Sequence, residues 1–205
     1  MKNNVNQTPP SISAKVVLLG ESLVGKTSFA TVVTTGVFDP NILSTVGASF
    51  RSKLINVDNK VVNLNIWDTA GQEHYRSLAP MFYRDADFVL LVYSIDNKKS
   101  FKEIKHWYKN LQYDCIRMPV VYVIANKLDL ESIREVNTED GLELANKLNA
   151  SFYEISTRTQ IERVGEIIQN IAVKAVTVFE TIPNDVAKVN LTKTNNSKQE
   201  HSSCC

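Results

Sequence analysis

Excess charge of one sign is missing from this chain: 23 Lys and Arg face 22 Asp and Glu, leaving a formal charge of +1. Nucleic-acid binding normally draws on a clustered surplus of basic residues, so no nucleic-acid partner is expected. Long apolar runs are missing as well. None is longer than Phe88-Val89-Leu90-Leu91-Val92-Tyr93, which stops far short of the roughly 20 residues that cross a bilayer, and no transmembrane helix is expected. The opening residues Met1-Lys2-Asn3-Asn4-Val5-Asn6-Gln7 show neither the apolar core of a secretory leader nor the Met-Gly start that myristoylation requires. Cysteine is scarce, three in all. Cys115 stands alone, so no disulfide framework is expected and a reducing compartment is. Cys204 and Cys205 are the last two residues, where a packed core cannot use them, and a chemical role fits that placement better.

What is present suits a globular domain. The chain has 205 residues, 43% hydrophobic and 22% charged, which implies one compact domain with tails. Residues 1–13 are polar and read as a flexible N-terminal arm, followed by a buried strand at Lys15-Val16-Val17-Leu18-Leu19. Phe29, Val32, Val33 and Val37 then follow helical spacing. Residues 48–57 and 60–67 read as two strands joined by the turn-forming pair Asp58-Asn59, with Asn63 and Asn65 giving the second a polar face. That pattern suits an antiparallel hairpin at one side of a sheet.

Continuous apolar strands then alternate with amphipathic helices. Strands are expected at 88–93, 120–125 and 151–155. Helices are expected through Phe101, Ile104, Tyr108 and Leu111, around Leu142, Ala145 and Leu148, and along Ile161, Val164, Ile168, Ile171, Ala175 and Val178. This alternation argues an α/β fold with a mostly parallel sheet covered on both faces. Residues 182–205 are rich in Asn, Lys, Ser and Thr; they hold too little apolar surface to offset chain entropy and read as a flexible tail.

Gly20-Glu21-Ser22-Leu23-Val24-Gly25-Lys26-Thr27 matches G-x-x-x-x-G-K-[ST], set between the first strand and first helix. Glycines at those positions let backbone N–H groups wrap phosphate oxygens, Lys26 reaches the β- and γ-phosphates, and the Thr27 hydroxyl suits Mg²⁺. A helix N-terminus, reaching Ser28, adds a favourable dipole. Trp67-Asp68-Thr69-Ala70-Gly71-Gln72-Glu73 follows a strand. Asp68 there can serve the magnesium site, Gly71 can bring its N–H against a terminal phosphate, and the Gln72 amide can orient a water. Asn126-Lys127-Leu128-Asp129 closes another strand. An Asp129 carboxylate can accept from the adjacent N–H donors of guanine, and adenine would leave it unsatisfied.

These three elements, in this order, resemble the small GTPases of the Ras superfamily, and further motifs over about 14–180 resemble its Rab family. Ser44-Thr45-Val46-Gly47-Ala48-Ser49-Phe50 is similar to the first switch, with Thr45 as the Mg²⁺-binding threonine that senses the γ-phosphate. Phe38 matches the aromatic that stacks on guanine. Gln72-Glu73-His74-Tyr75-Arg76-Ser77-Leu78 and Ser77-Leu78-Ala79-Pro80-Met81-Phe82-Tyr83-Arg84 resemble the second switch and the residues after it, most closely in the early-endosomal branch. Ser156, Thr157 and Arg158 occupy the place of the family's Ser-Ala-Lys base loop; Thr157 would act through its backbone N–H. Phe50, Trp67 and Phe82 match the aromatic triad that Rab proteins present to effectors. Cys204-Cys205 resembles the doubly geranylgeranylated ending, with Ser202 excluding the C-a-a-X pattern.

The resemblance implies a single P-loop G domain over 14–181, with a six-stranded, mostly parallel sheet, one antiparallel edge strand and helices on both faces. It implies slow GTP hydrolysis with Mg²⁺, Gln72 orienting the water, and a switch that recruits effectors for vesicle and endosomal traffic. An exchange factor, an activating protein, a GDP-dissociation inhibitor and a prenylation escort are the implied partners. The implied location is the cytoplasmic face of intracellular, endosomal membranes, in exchange with cytosol. Two other readings stand beside it: an ATP-dependent P-loop enzyme, which Asp129 opposes, and a non-cycling nucleotide-bound scaffold. Leu23 departs from the family's small residue, and either points outward or alters loop geometry and exchange.

Overall fold

The computed structural model describes residues 11–71 and 77–181. Gln72, the rest of the second-switch motif through Arg76, and Cys204-Cys205 lie outside the described residues. Six strands make one sheet: β1 (Ser11–Leu19), β2 (Ala48–Val57), β3 (Lys60–Thr69), β4 (Phe88–Ser94), β5 (Val120–Asn126) and β6 (Ser151–Glu154), in the spatial order β2-β3-β1-β4-β5-β6. Only β2 with β3 is antiparallel; the other pairings are parallel. The expected edge hairpin is therefore present, turning at Asp58, whose φ of 51° an aspartate tolerates.

Strand alternation divides the core into two layers. Val16, Leu18, Leu90, Val92 and Ile124 face α1 (Lys26–Thr35) and α5 (Ile161–Thr181). Val17, Leu19, Leu91, Tyr93 and Val123 face α2 (Ala79–Tyr83), α3 (Lys98–Asp114) and α4 (Thr138–Lys147). Side chains of period two on a strand must point to opposite faces, which explains why the end of β1 (Val16 to Leu19), β4 and β5 read as unbroken apolar runs. β3 alternates because its Val62, Leu64 and Ile66 face is buried under α1 and α5, whereas on the opposite face Asn63 and Asn65 are only partly buried and just Trp67 meets α2. Among the described residues, no helix is long and apolar enough to cross a membrane.

Three local expectations are corrected. Ser11, Ile12 and Ser13, read as part of the arm over 1–13, are strand: they pair in parallel with Val61, Val62 and Asn63, so ladder bonds hold residues that composition assigned to an arm. Val37 is not on the α1 stripe: the helix stops at Thr35, closed by the Gly36 N–H on Val32 O at 2.8 Å, and Val37 is exposed. Leu142 on α4 faces solvent, while Leu144 and Ala145 pack inward.

From β1 the chain moves to β3 on one side, then resumes at β4 on the other. The sheet order thus reverses at β1. Ligands of open α/β sheets bind at the C-terminal strand ends beside such a reversal, and every element below lies there.

Candidate nucleotide site

β1 ends at Leu19, and Gly20 to Gly25 form a loop that feeds α1 at Lys26. Gly25 has a φ of 97°, and a Cβ there would sit 2.2 Å from Asn126 Nδ2, so only glycine lets the loop close against β5. Asn126 is buried and ties three segments. Its Nδ2 donates to Val24 O at 2.8 Å, and its Oδ1 accepts from the Thr157 N–H at 3.1 Å and the Thr157 hydroxyl at 3.2 Å. The Thr157 N–H, expected to address the base, thus points at the asparagine.

Lys26 is buried, and its Nζ donates to Gly20 O at 2.8 Å and to Glu21 O at 2.6 Å. An ammonium has three protons, so a third can meet an anion in the pocket. Burial pulls its pKa down to about 8, against the raising influence of Asp68 and Glu21. A phosphate would reverse that penalty by supplying negative charge where water is excluded. Gly71 closes the same space from β3: a Cβ would lie 2.4 Å from the Glu21 carbonyl and 2.5 Å from Lys26 Nζ. The pocket is lined by Ser22, Leu23, Gly25, Lys26, Thr27, Ser28, Phe38, Thr45 and Gly71, among others. Phe38 also packs half-buried against the α1 and α5 layer.

Three side chains from distant segments meet at the pocket floor. The hydroxyls of Thr27 and Thr45 are 2.7 Å apart, and Thr45 Oγ1 donates to Asp68 Oδ2 at 3.2 Å. Ser49 Oγ donates to the same oxygen at 3.4 Å, a contact that motif reading missed. Asp68 is fully buried, and its Oδ1 has no hydrogen-bond partner. Burial raises its pKa, opposed by hydrogen bonds from Thr27 and Thr45 and by the Lys26 charge. Two hydroxyls and a carboxylate with one unmatched oxygen form a hard, all-oxygen donor set, the kind a small divalent cation such as Mg²⁺ takes. The residues fit that ion.

The segment expected to face the base begins where β5 ends. Asp129 lies in a 3₁₀ turn, Leu128–Ile133, and its Oδ1 accepts from Ser156 Oγ at 2.5 Å. Ser156 Oγ also accepts from the N–H groups of Arg158 and Thr159, each at 3.2 Å, and Gln160 Oε1 accepts from the Ser156 N–H at 3.0 Å. Lys127 has a φ of 66°, with its ammonium 3.9 Å from Asp96. The exposed Arg158 contributes its backbone to this knot. Gln160 carried no motif signal. Nor did Arg134, whose guanidinium joins the 3₁₀ turn to Glu154 at 2.7 Å.

Away from the pocket, Phe50, Trp67 and Phe82 form one stack. Ring centroids of Phe50 and Trp67 are 5.3 Å apart, and those of Trp67 and Phe82 are 5.5 Å apart. Phe50 is 55% exposed, and Lys15 Nζ lies 5.5 Å from the Trp67 ring. The register explains the stack: Phe50 is opposite Trp67 across β2 and β3, and α2 delivers Phe82.

Residues 15–177 match the family model described as the Ras family. The chain is 42% identical over 149 residues to the Ras-related protein Rab-37 of Homo sapiens, covering 72% of this chain and 67% of that one. It is 37% identical over 170 residues to human Ras-related protein Rab-22A, covering 83% and 87%. It is also 39% identical over 147 residues to Ras-related protein Rab-18-B of Danio rerio, covering 71% of each. With the phosphate loop, the Asp68 strand end and the Asn126 to Asp129 segment all built on one six-stranded sheet, the chain belongs to the Ras family, as a Rab small GTPase.

Proposed function

We propose that this Rab small GTPase binds GTP with Mg²⁺ in the pocket between Lys26 and Gly71, and is read by effectors when the γ-phosphate is present. As a Rab it hydrolyses GTP to GDP and acts in membrane traffic; the scaffold reading is not favoured. The meeting of Thr27, Thr45 and Asp68, three segments distant in sequence, carries the proposal. Those three residues would hold Mg²⁺, which supplies positive charge against the phosphates. Lys26 and the loop N–H groups bind the β- and γ-phosphates, while Gly71 lets the end of β3 approach the terminal one. Phe38 covers the guanine face, and Asp129, steadied by Ser156, accepts from the base's N1–H and 2-amino group. Gln72 orients a water whose oxygen bonds to the γ-phosphorus as the bond to the β–γ bridging oxygen breaks. The products are GDP and phosphate, which takes the water's proton.

Thr45 and Gly71 both face that phosphate, so its departure releases the segments they anchor. The Phe50, Trp67 and Phe82 stack joins β2, β3 and α2 beside those segments, and would give effectors an aromatic surface that changes with the nucleotide. Activating protein, exchange factor, GDP-dissociation inhibitor and prenylation escort complete the cycle. Geranylgeranyl groups on Cys204 and Cys205 would hold the chain at the cytoplasmic face of endosomal membranes, two chains giving durable attachment where one gives marginal binding. Mass spectrometry of the nucleotide released from purified protein, with GTP and ATP competition by calorimetry, tests the reading. Guanine nucleotide and a strong GTP preference are expected; equal heats with ATP would overturn it. A Gln72→Leu variant should lose most single-turnover hydrolysis while still binding GTP.

A further inference from the structure

Four described residues other than glycine have a left-handed backbone: Leu23 (φ 63°), Asp58 (51°), Lys127 (66°) and Asn149 (51°). Aspartate and asparagine tolerate that region, and Asp58 and Asn149 sit in turns remote from the pocket. Leu23 and Lys127 have no such tolerance, and both belong to the nucleotide site. Strain of this kind concentrates where surrounding structure holds it in place for function.

For Leu23 the imbalance is plain. The residue is 77% exposed, so burial offsets little of the steric cost. Its neighbour Val24 is fully buried and held by Asn126 through a 2.8 Å bond, which leaves position 23 to absorb the turn. Leu23 lines the pocket itself. A leucine in this conformation is disfavoured against glycine by roughly 5- to 30-fold.

We propose that Leu23 limits the lifetime of the bound nucleotide: its left-handed backbone belongs to the closed phosphate loop, so its strain favours the relaxed loop and speeds release. The inference rests on the nucleotide reading above and makes Leu23 a positioning residue acting through the loop's N–H groups. Its effect is on the phosphates and is independent of the base.

Release of fluorescently labelled GDP into excess GDP tests it, with Leu23→Gly, Leu23→Asn, Leu23→Met and Leu23→Val. Release should slow by roughly 5- to 30-fold for Gly and by a smaller factor for Asn, change less than twofold for Met, and quicken for β-branched Val. The same ratios should hold for labelled IDP, which lacks the guanine 2-amino group. Release from the Gly and Asn variants as fast as or faster than from the parent would overturn the proposal, since a holding contact by the leucine side chain gives that order. Ratios that differ between GDP and IDP would overturn it too. A parent protein that binds no guanine nucleotide would instead refute the underlying reading, a separate outcome.

Discussion

Replacing Arg134 by methionine removes a clamp between the two segments proposed to face the base. The guanidinium donates through Nε and Nη2 to Glu131, at 2.6 to 3.0 Å, and through Nη1 to Glu154 at 2.7 Å and to Val136 O at 2.8 Å. Glu131 is largely exposed; its carboxyl is held below the usual range by Arg134 and adds little to stability. Glu154 decides the magnitude. Its side chain is 15% exposed and that of Arg134 14%, so removing the cation strands a nearly buried carboxylate. Breaking a fully buried pair from one side costs about 3–5 kcal/mol. Residual water and the Thr138 hydroxyl, still donating to Glu154 at 2.9 Å, reduce this to about 2–3 kcal/mol.

The same clamp joins Glu131, on the turn that carries Asp129, to Glu154, two residues before Ser156. Loosening it should weaken the proposed bond from the guanine 2-amino group to Asp129. The preference for GTP over ITP, which lacks that group, should fall roughly 3- to 10-fold. Urea unfolding at matched GDP saturation reads the first number, and calorimetric titration with each triphosphate reads the second. Adding Glu154→Gln should recover part of the stability, because the stranded charge is gone. A stability loss below about 1 kcal/mol, or an unchanged GTP-to-ITP ratio, would refute the clamp.

Three shorter predictions follow from other contacts. Gly71→Ala puts a Cβ 2.4 Å from the Glu21 carbonyl; the end of β3 must withdraw, so single-turnover hydrolysis and the preference for GTP over GDP should fall while GDP affinity stays within a few-fold. Trp67→Ala removes the middle ring of the stack, two aromatic contacts of about 0.5–1.5 kcal/mol each; urea unfolding should show a loss of about 1–3 kcal/mol, with nucleotide affinity unchanged within about twofold. Burial, then the Asp114 charge, pushes the Cys115 thiol up, and its Sγ donates to Tyr83 O at 3.5 Å; iodoacetamide at neutral pH should label it far more slowly in the folded protein than in urea, as peptide mass spectrometry can measure.

The legible part of this protein is its local part. The phosphate loop needs consecutive residues between one strand and one helix, and Asn126 to Asp129 needs a strand end, so spacing along the chain carries most of the geometry. Apolar runs in β4 and β5 and the helical stripe on α5 likewise state their own burial. Where two distant segments decide the outcome, local reading fails or stops early. Ser11 and Ser13 are polar, yet the ladder on Val61 to Asn63 makes their segment strand. Val37 keeps helical spacing, yet the cap at Gly36 has already ended the helix.

The site divides along the same line. Ser49, Gln160 and Arg134 support Asp68, Ser156 and Glu154 through bonds whose existence depends on register or on the crossing of two loops. A serine on an edge strand carries no local mark of facing a carboxylate; only the pairing of Ser49 with Asp68 across β2 and β3 puts it there. Leu23 shows the converse. Its identity was visible as an anomaly in the loop, and its meaning required the backbone angle, because one side chain in one conformation is harmless and in another is strained. Motifs thus name the atoms proposed to touch nucleotide, whereas pairing and conformation determine how firmly those atoms are held. Affinity, exchange and specificity among proteins sharing these motifs should therefore follow the supporting residues more than the motif residues.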